Sequence, residues 1–268
     1  MKRIAILVVL LACGVAAANP TSFTVSVAGK GRPIILIPGL GCPGSVWDDT
    51  VAHFAGTAQT HVLTLAGFAG QAPIDGPLSA TVRAELAIYI REHKLDHPVI
   101  IGHSLGGFIA YWLAAADPDV IGPVIAIDAF PALGYDASSV PGVIAMGEGW
   151  KRLAKADFDG QARDMFLAMG ADPKKLEPVI AAVLKSDRRT FADSFVELFK
   201  VDLRSRLPKI TARVLVVLAD GPFQQTITEQ VAGIASKQVV IVPRTRHFVM
   251  FDDPRGFFRA VDGFLAAR

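Results

Sequence analysis

Gly102-His103-Ser104-Leu105-Gly106 joins an apolar run, Pro98-Val99-Ile100-Ile101, to a helix-forming segment from Phe108 to Ala116. A serine between flanking glycines at a strand-to-helix junction makes a tight bend that lifts its hydroxyl above the strand end, the geometry of a nucleophile elbow. Bulky side chains at the flanking positions would collide with neighbouring backbone, so Gly102 and Gly106 read as steric requirements of the exposure of Ser104. The short pattern alone occurs in many loops. Here strand and helix signals stand on both sides of it.

The rest of the chain supplies the sheet that such an elbow needs. Strand-like runs fall at Phe23 to Val27, Ile34 to Ile37, His61 to Leu65, Val99 to Ile101, Val124 to Ile127, Val214 to Leu218 and Val239 to Val242. Several are continuous β-branched runs, which suits strands buried on both faces of a parallel sheet. Amphipathic stretches alternate with them: within Leu78 to His93, the side chains of Val82, Leu86, Ala87 and Ile90 share one helical face. Right-handed crossovers then give an α/β fold, a mostly parallel central sheet flanked by helices. The alternation stops between about residues 131 and 208, where the pattern is helical and includes Phe158, Met165, Phe166, Met169, Phe191 and Phe195. This stretch is expected to form a helical cap over the strand ends, held together by most of those groups, with only the face toward Ser104 available to a substrate. With no repeat or low-complexity linker, residues 19–268 read as a single domain.

Lys2 and Arg3 precede an apolar run from Ile4 to Leu11 and then Ala16-Ala17-Ala18. That order is a secretory signal, most simply cut after Ala18, and the run is shorter than the about 20 apolar residues of a membrane span. The expected location is periplasmic or extracellular. Lipidation of Cys13, in the lipobox-like Leu10-Leu11-Ala12-Cys13, is the other reading of the same segment. Removing residues 1–18 leaves 25 basic against 25 acidic side chains with no Lys/Arg cluster, so nucleic acid is not an expected partner. Cys42 is then the lone cysteine, and stability rests on the core rather than on a disulfide.

A serine hydroxyl becomes a useful nucleophile only when a base takes its proton. Of the six histidines, His247 follows the last strand-like run and precedes a terminal helix beginning near Pro254. Ends of parallel strands share one edge of the sheet, which brings a loop there beside Ser104. His247 is the expected base; His53, His61, His93 and His97 read as solvated or capping, and His103 as packing or hydrogen-bonding locally. Negative charge on an attacked carbonyl oxygen calls for preorganised N–H donors, each worth about 3 kcal/mol. The amide of Leu105, at the start of the helix after Ser104, is one candidate. The amide of Leu40, in the glycine loop Ile37-Pro38-Gly39-Leu40-Gly41, is the other. An acid that orients the imidazole has two candidates: Asp128, which closes the run Val124 to Ile127, and Asp220, which follows Val214 to Leu218 and can equally cap a turn.

Taken together, these segments resemble the α/β-hydrolase superfamily in its esterase-like branch. Gly39-Leu40-Gly41 is similar to the family's oxyanion loop, with Pro38 where histidine is usual. Gly102-His103-Ser104-Leu105-Gly106-Gly107 matches the elbow, and Arg246-His247-Phe248-Val249-Met250 with Pro254 matches the histidine loop. The resemblance covers nearly all of residues 23–267 and implies a cap inserted after the sixth core strand. It implies an ester-cleaving serine hydrolase that forms an acyl-enzyme on Ser104, takes a small apolar ester-like substrate and needs no metal or organic cofactor. One departure concerns the acid: many relatives carry Gly-x-x-Asp after the seventh strand, whereas Ala219-Asp220-Gly221-Pro222 places a proline at the customary position. Some members carry their acid one strand after the elbow strand, which favours Asp128 over Asp220. Lactone, amide or carbon–carbon hydrolysis and perhydrolysis use the same constellation, and the displaced acid leaves room for a non-catalytic protein that binds a small ligand in the capped pocket. Dehalogenase chemistry needs a carboxylate where Ser104 stands.

Overall fold

The computed structural model describes residues 20–134 and 136–267; the expected signal at residues 1–18, with Cys13, lies outside them. The strands are β1 (Phe23–Gly29), β2 (Arg32–Ile37), β3 (Ala58–Leu65), β4 (Val99–His103), β5 (Val124–Ile127), β6 (Val214–Ala219) and β7 (Lys237–Val242). They form one sheet in the order β1-β3-β2-β4-β5-β6-β7, parallel throughout except where β1 runs against β3. The continuous apolar runs occupy its middle: every residue of β4, β5 and β6 is buried, as expected for strands covered on both faces. At the edges, β1 and β7 alternate or face solvent.

Around this sheet stand α1 (Asp48–Phe54), α2 (Leu78–Glu92), α3 (Leu105–Ala116), α4 (Val140–Arg152), α5 (Lys155–Ala168), α6 (Pro173–Val183), α7 (Arg188–Lys200), α8 (Gln224–Gln230), α9 (Val249–Asp252) and α10 (Pro254–Ala266). Helix α3 carries Leu-Gly-Gly-Phe-Ile-Ala-Tyr-Trp-Leu-Ala-Ala-Ala and is buried almost all round, which fits its place directly behind the elbow. Helices α4 to α7 fill the stretch that lacked a strand pattern. Counted along this chain they follow the fifth strand, one earlier than the sixth-strand position implied by the resemblance, because the described sheet has one strand fewer ahead of them.

Contacts from the turn before α7 tie this stretch to the loops after β2 and β3. The Ser186 hydroxyl accepts from the Ala69 amide at 3.0 Å and donates to the Gly41 carbonyl at 3.3 Å, and the Asp187 amide donates to the Gly67 carbonyl at 2.7 Å. Asp187 also caps α7, accepting from the amide and hydroxyl of Thr190 at 2.7 Å each. Helix α2 begins after Pro77, which offers no capping oxygen; Glu197 of α7 accepts instead from the amides of Ser79 and Ala80. Among the described residues no helix is long and apolar enough to cross a membrane.

Register places the chemistry. Ile37 pairs with Gly102, His103 with Ile127, and Ile127 with Val217, so β2, β4, β5 and β6 reach one edge together. The residues that follow them, the Pro38 to Cys42 loop, Ser104, Asp128 and Asp220, therefore converge there although they are far apart in the chain.

Candidate active site

Ser104 adopts φ 54° and ψ −118°, a sparsely populated conformation for a side-chain-bearing residue that costs on the order of 1–3 kcal/mol. Neighbours hold it there: its amide donates to the Ile127 carbonyl at 2.9 Å and its carbonyl accepts from the Phe108 amide at 3.0 Å. A methyl group at Gly102 would run into the carbonyl of Gly106, and one at Gly106 into the carbonyl of Ile37. Both glycines are thus where α3 passes too close to the strands to admit a side chain.

The loop after β2 turns back over the serine. Residues Gly39 to Cys42 make a turn closed by the Cys42 amide on the Gly39 carbonyl at 3.1 Å, with Gly41 at φ 70°, the left-handed position that such a turn gives to glycine. A Cβ on Gly39 would stand 3.3 Å from that of Ser104, so this loop lies against the elbow. Leu40 is buried and lines the cavity in front of Ser104. Leu105 is the first residue of α3, and its amide has no carbonyl partner within its own helix.

Asp128 extends β5 by one residue, its amide donating to the Val217 carbonyl at 2.8 Å, and turns at φ 45°. Its Oδ1 accepts from the Ala219 amide at 3.1 Å and its Oδ2 lies 2.6 Å from Nδ1 of His247. A carboxylate can only accept, so Nδ1 of His247 carries the proton in the neutral ring and Nε2 is left as the basic nitrogen. Burial pushes the Asp128 carboxyl up, but the hydrogen bond and charge of His247, with the Ala219 amide, hold it below the ordinary aspartate value. A carboxyl depressed in the folded chain contributes stability that is complete above its unfolded value of about 3.9 and is lost as pH falls through the lower folded value. The melting temperature of wild type should therefore exceed that of Asp128→Asn above roughly pH 4, with the gap closing below it, as thermal unfolding from pH 2 to 8 will show.

Asp220 is used differently. Its Oδ2 accepts from the Arg244 amide at 3.4 Å, joining the loops after β6 and β7, and it reaches the same cavity without a hydrogen bond to His247. His61, read as solvated or capping, is instead buried in β3, with Nδ1 2.8 Å from the Tyr89 hydroxyl. A strand position facing a helix decided this, not the polarity of the ring.

Ser104, His247, Asp128 and Leu40 line one cavity of about 480 Å³. Met165, Phe166 and Met169 from α5 and its C-terminal end, with Phe195 and Leu198 from α7, form its far wall, while Phe158 and Phe191 are buried among their neighbours. Sequence reasoning did not single out Phe130, Phe223, Gln224 or Thr245, which also line it. Proximity to Asp128, Asp220 and His247 in the chain was the available signal.

A strained serine, a glycine turn and a carboxylate–imidazole pair thus share one strand-end cavity on an α/β scaffold. Residues 34–260 match the model of the alpha/beta hydrolase family, and the chain belongs to that family. It is similar to the pimeloyl-[acyl-carrier protein] methyl ester esterase of Vibrio vulnificus, 24% identical over 242 residues that span 85% of this chain and 92% of that one. The N-formylmaleamate deformylase of Pseudomonas putida is 24% identical over 242 residues, spanning 88% and 90%. In three dimensions the chain resembles an esterase from Exiguobacterium antarcticum, with a TM-score of 0.80, 17% identity and coverage of 91% and 96%.

Proposed function

We propose that this protein is a serine hydrolase that cleaves small apolar carboxylic esters. The observation that carries the reading is the 2.6 Å contact between Asp128 and His247, in the cavity that Ser104 faces from its strained bend. In this reading Nε2 of His247 takes the Ser104 proton as Oγ attacks the ester carbonyl, and Asp128 stabilises the imidazolium that forms. The amides of Leu40 and Leu105 receive the developing oxyanion. Collapse of the tetrahedral adduct expels the alcohol, protonated by His247, and water activated by the same imidazole frees the acid and Ser104. The apolar wall from α5 and α7 suits an uncharged acyl or alkyl chain. Relatives named as esterases agree with this chemistry. A non-catalytic binder was favoured only by the proline at the customary acid position, and that argument weakens with a carboxylate already against His247.

Purified protein will be given chromogenic esters from acetyl to long-chain acyl and, separately, a fluorophosphonate probe. Turnover strongest for short or medium chains and a single adduct on Ser104 are expected; a protein that does neither is a binder. Export is part of the same proposal, and the intact mass of protein recovered from its producing cells should correspond to a chain beginning at Asn19.

A further inference from the structure

We propose that His103 is a positioning residue that pegs the His247 loop to the glycine loop, holding the base and one oxyanion donor at a fixed separation from Ser104. This rests on the serine-hydrolase reading. His103 ends β4 and is fully enclosed, with 1% of its surface exposed. Its Nε2 lies 2.9 Å from the backbone carbonyl of His247, which can only accept, so Nε2–H donates and Nδ1 is the bare nitrogen. The ring lies 4.6 Å from that of His247 and 4.7 Å from that of Phe248, centroid to centroid. On its other side Nδ1 faces Gly39, where a Cβ would stand 3.0 Å away, and it has no hydrogen-bond partner among the described residues. One imidazole thus touches both loops that flank the serine.

The contact does not titrate where the enzyme would work. Burial, with the neighbouring charge of His247, lowers the His103 pKa to about 3 against the opposing pull of the His247 carbonyl and Asp128, the other groups that face it. His103 therefore stays neutral while His247 cycles its proton. A hydrophobic residue here would fill the space but leave the His247 carbonyl buried without its donor.

His103→Phe keeps a ring and removes the donor, while His103→Gln restores an N–H near the position of Nε2. His103→Phe is expected to lower kcat roughly 10- to 100-fold with KM within about threefold, because a misplaced base slows chemistry more than it weakens binding. His103→Gln should recover most of that loss at unchanged KM. A folded His103→Phe with kcat within about threefold of wild type would overturn the proposal. Should that variant not fold, ¹⁵N NMR of the wild-type histidines gives an independent answer: a proton on Nε2, none on Nδ1 and no titration of His103 between about pH 5 and 8. Protonation at Nδ1, or titration in that window, overturns it equally. Failure of the wild type to label with fluorophosphonate would instead sink the serine-hydrolase reading and leave the NMR prediction standing.

Discussion

Ser104→Ala is expected to lower ester turnover by about 10⁴- to 10⁶-fold and to abolish fluorophosphonate labelling, while the protein remains folded. The residual rate would come from donors and binding groups that survive the loss of the nucleophile. Stability should move the other way in Ser104→Gly. Serine is held at φ 54°, a conformation glycine adopts freely, so relieving about 1 kcal/mol of strain should raise Tm by about 2–4 °C in a domain of this size. An inactive variant that melts higher than wild type is the signature of an elbow strained for function. Turnover within tenfold of wild type in Ser104→Ala would move the nucleophile elsewhere.

Replacing Asp128 by Asn should cost about 10⁴ in kcat, whereas Asp220→Asn should stay within about threefold. The difference follows from what each carboxylate holds. Asp128 Oδ2 takes the Nδ1 proton of His247, and an amide there can donate its own hydrogen to Nδ1, favouring the tautomer whose Nε2 already carries a proton and cannot accept another from Ser104. Among the described residues Asp220 accepts from the Arg244 amide alone, a bond across 3.4 Å that asparagine can keep through its carbonyl oxygen. Equal losses in the two variants, or a larger loss in Asp220→Asn, would reassign the acid to the loop after β6.

Much of the scaffold was legible because burial leaves its mark on short apolar runs. Val99-Ile100-Ile101 and Val124 to Ile127 have no room for polar groups on either face, and both became fully buried strands. The edges were less legible: β7 starts at Lys237, two residues before its apolar run, because a ladder continues wherever backbone partners exist. His61 was misread because its alternating strand pattern does not say which face meets Tyr89. The stretch between β5 and β6 was legible as helical, yet which of its apolar side chains reach the cavity depends on how its helices are rotated.

Local sequence was sufficient for the elbow, since only glycine tolerates the carbonyls that crowd positions 102 and 106, and for the glycine turn at 39–42, since a left-handed residue is needed there. Those are constraints between near neighbours, and the chain carries them in its own residues. Which aspartate lies against His247, the seat of His103 between two loops and the shape of the cavity are different in kind. They depend on where separate strand ends meet in space, and sheet register together with the packing of α5 and α7 decided them.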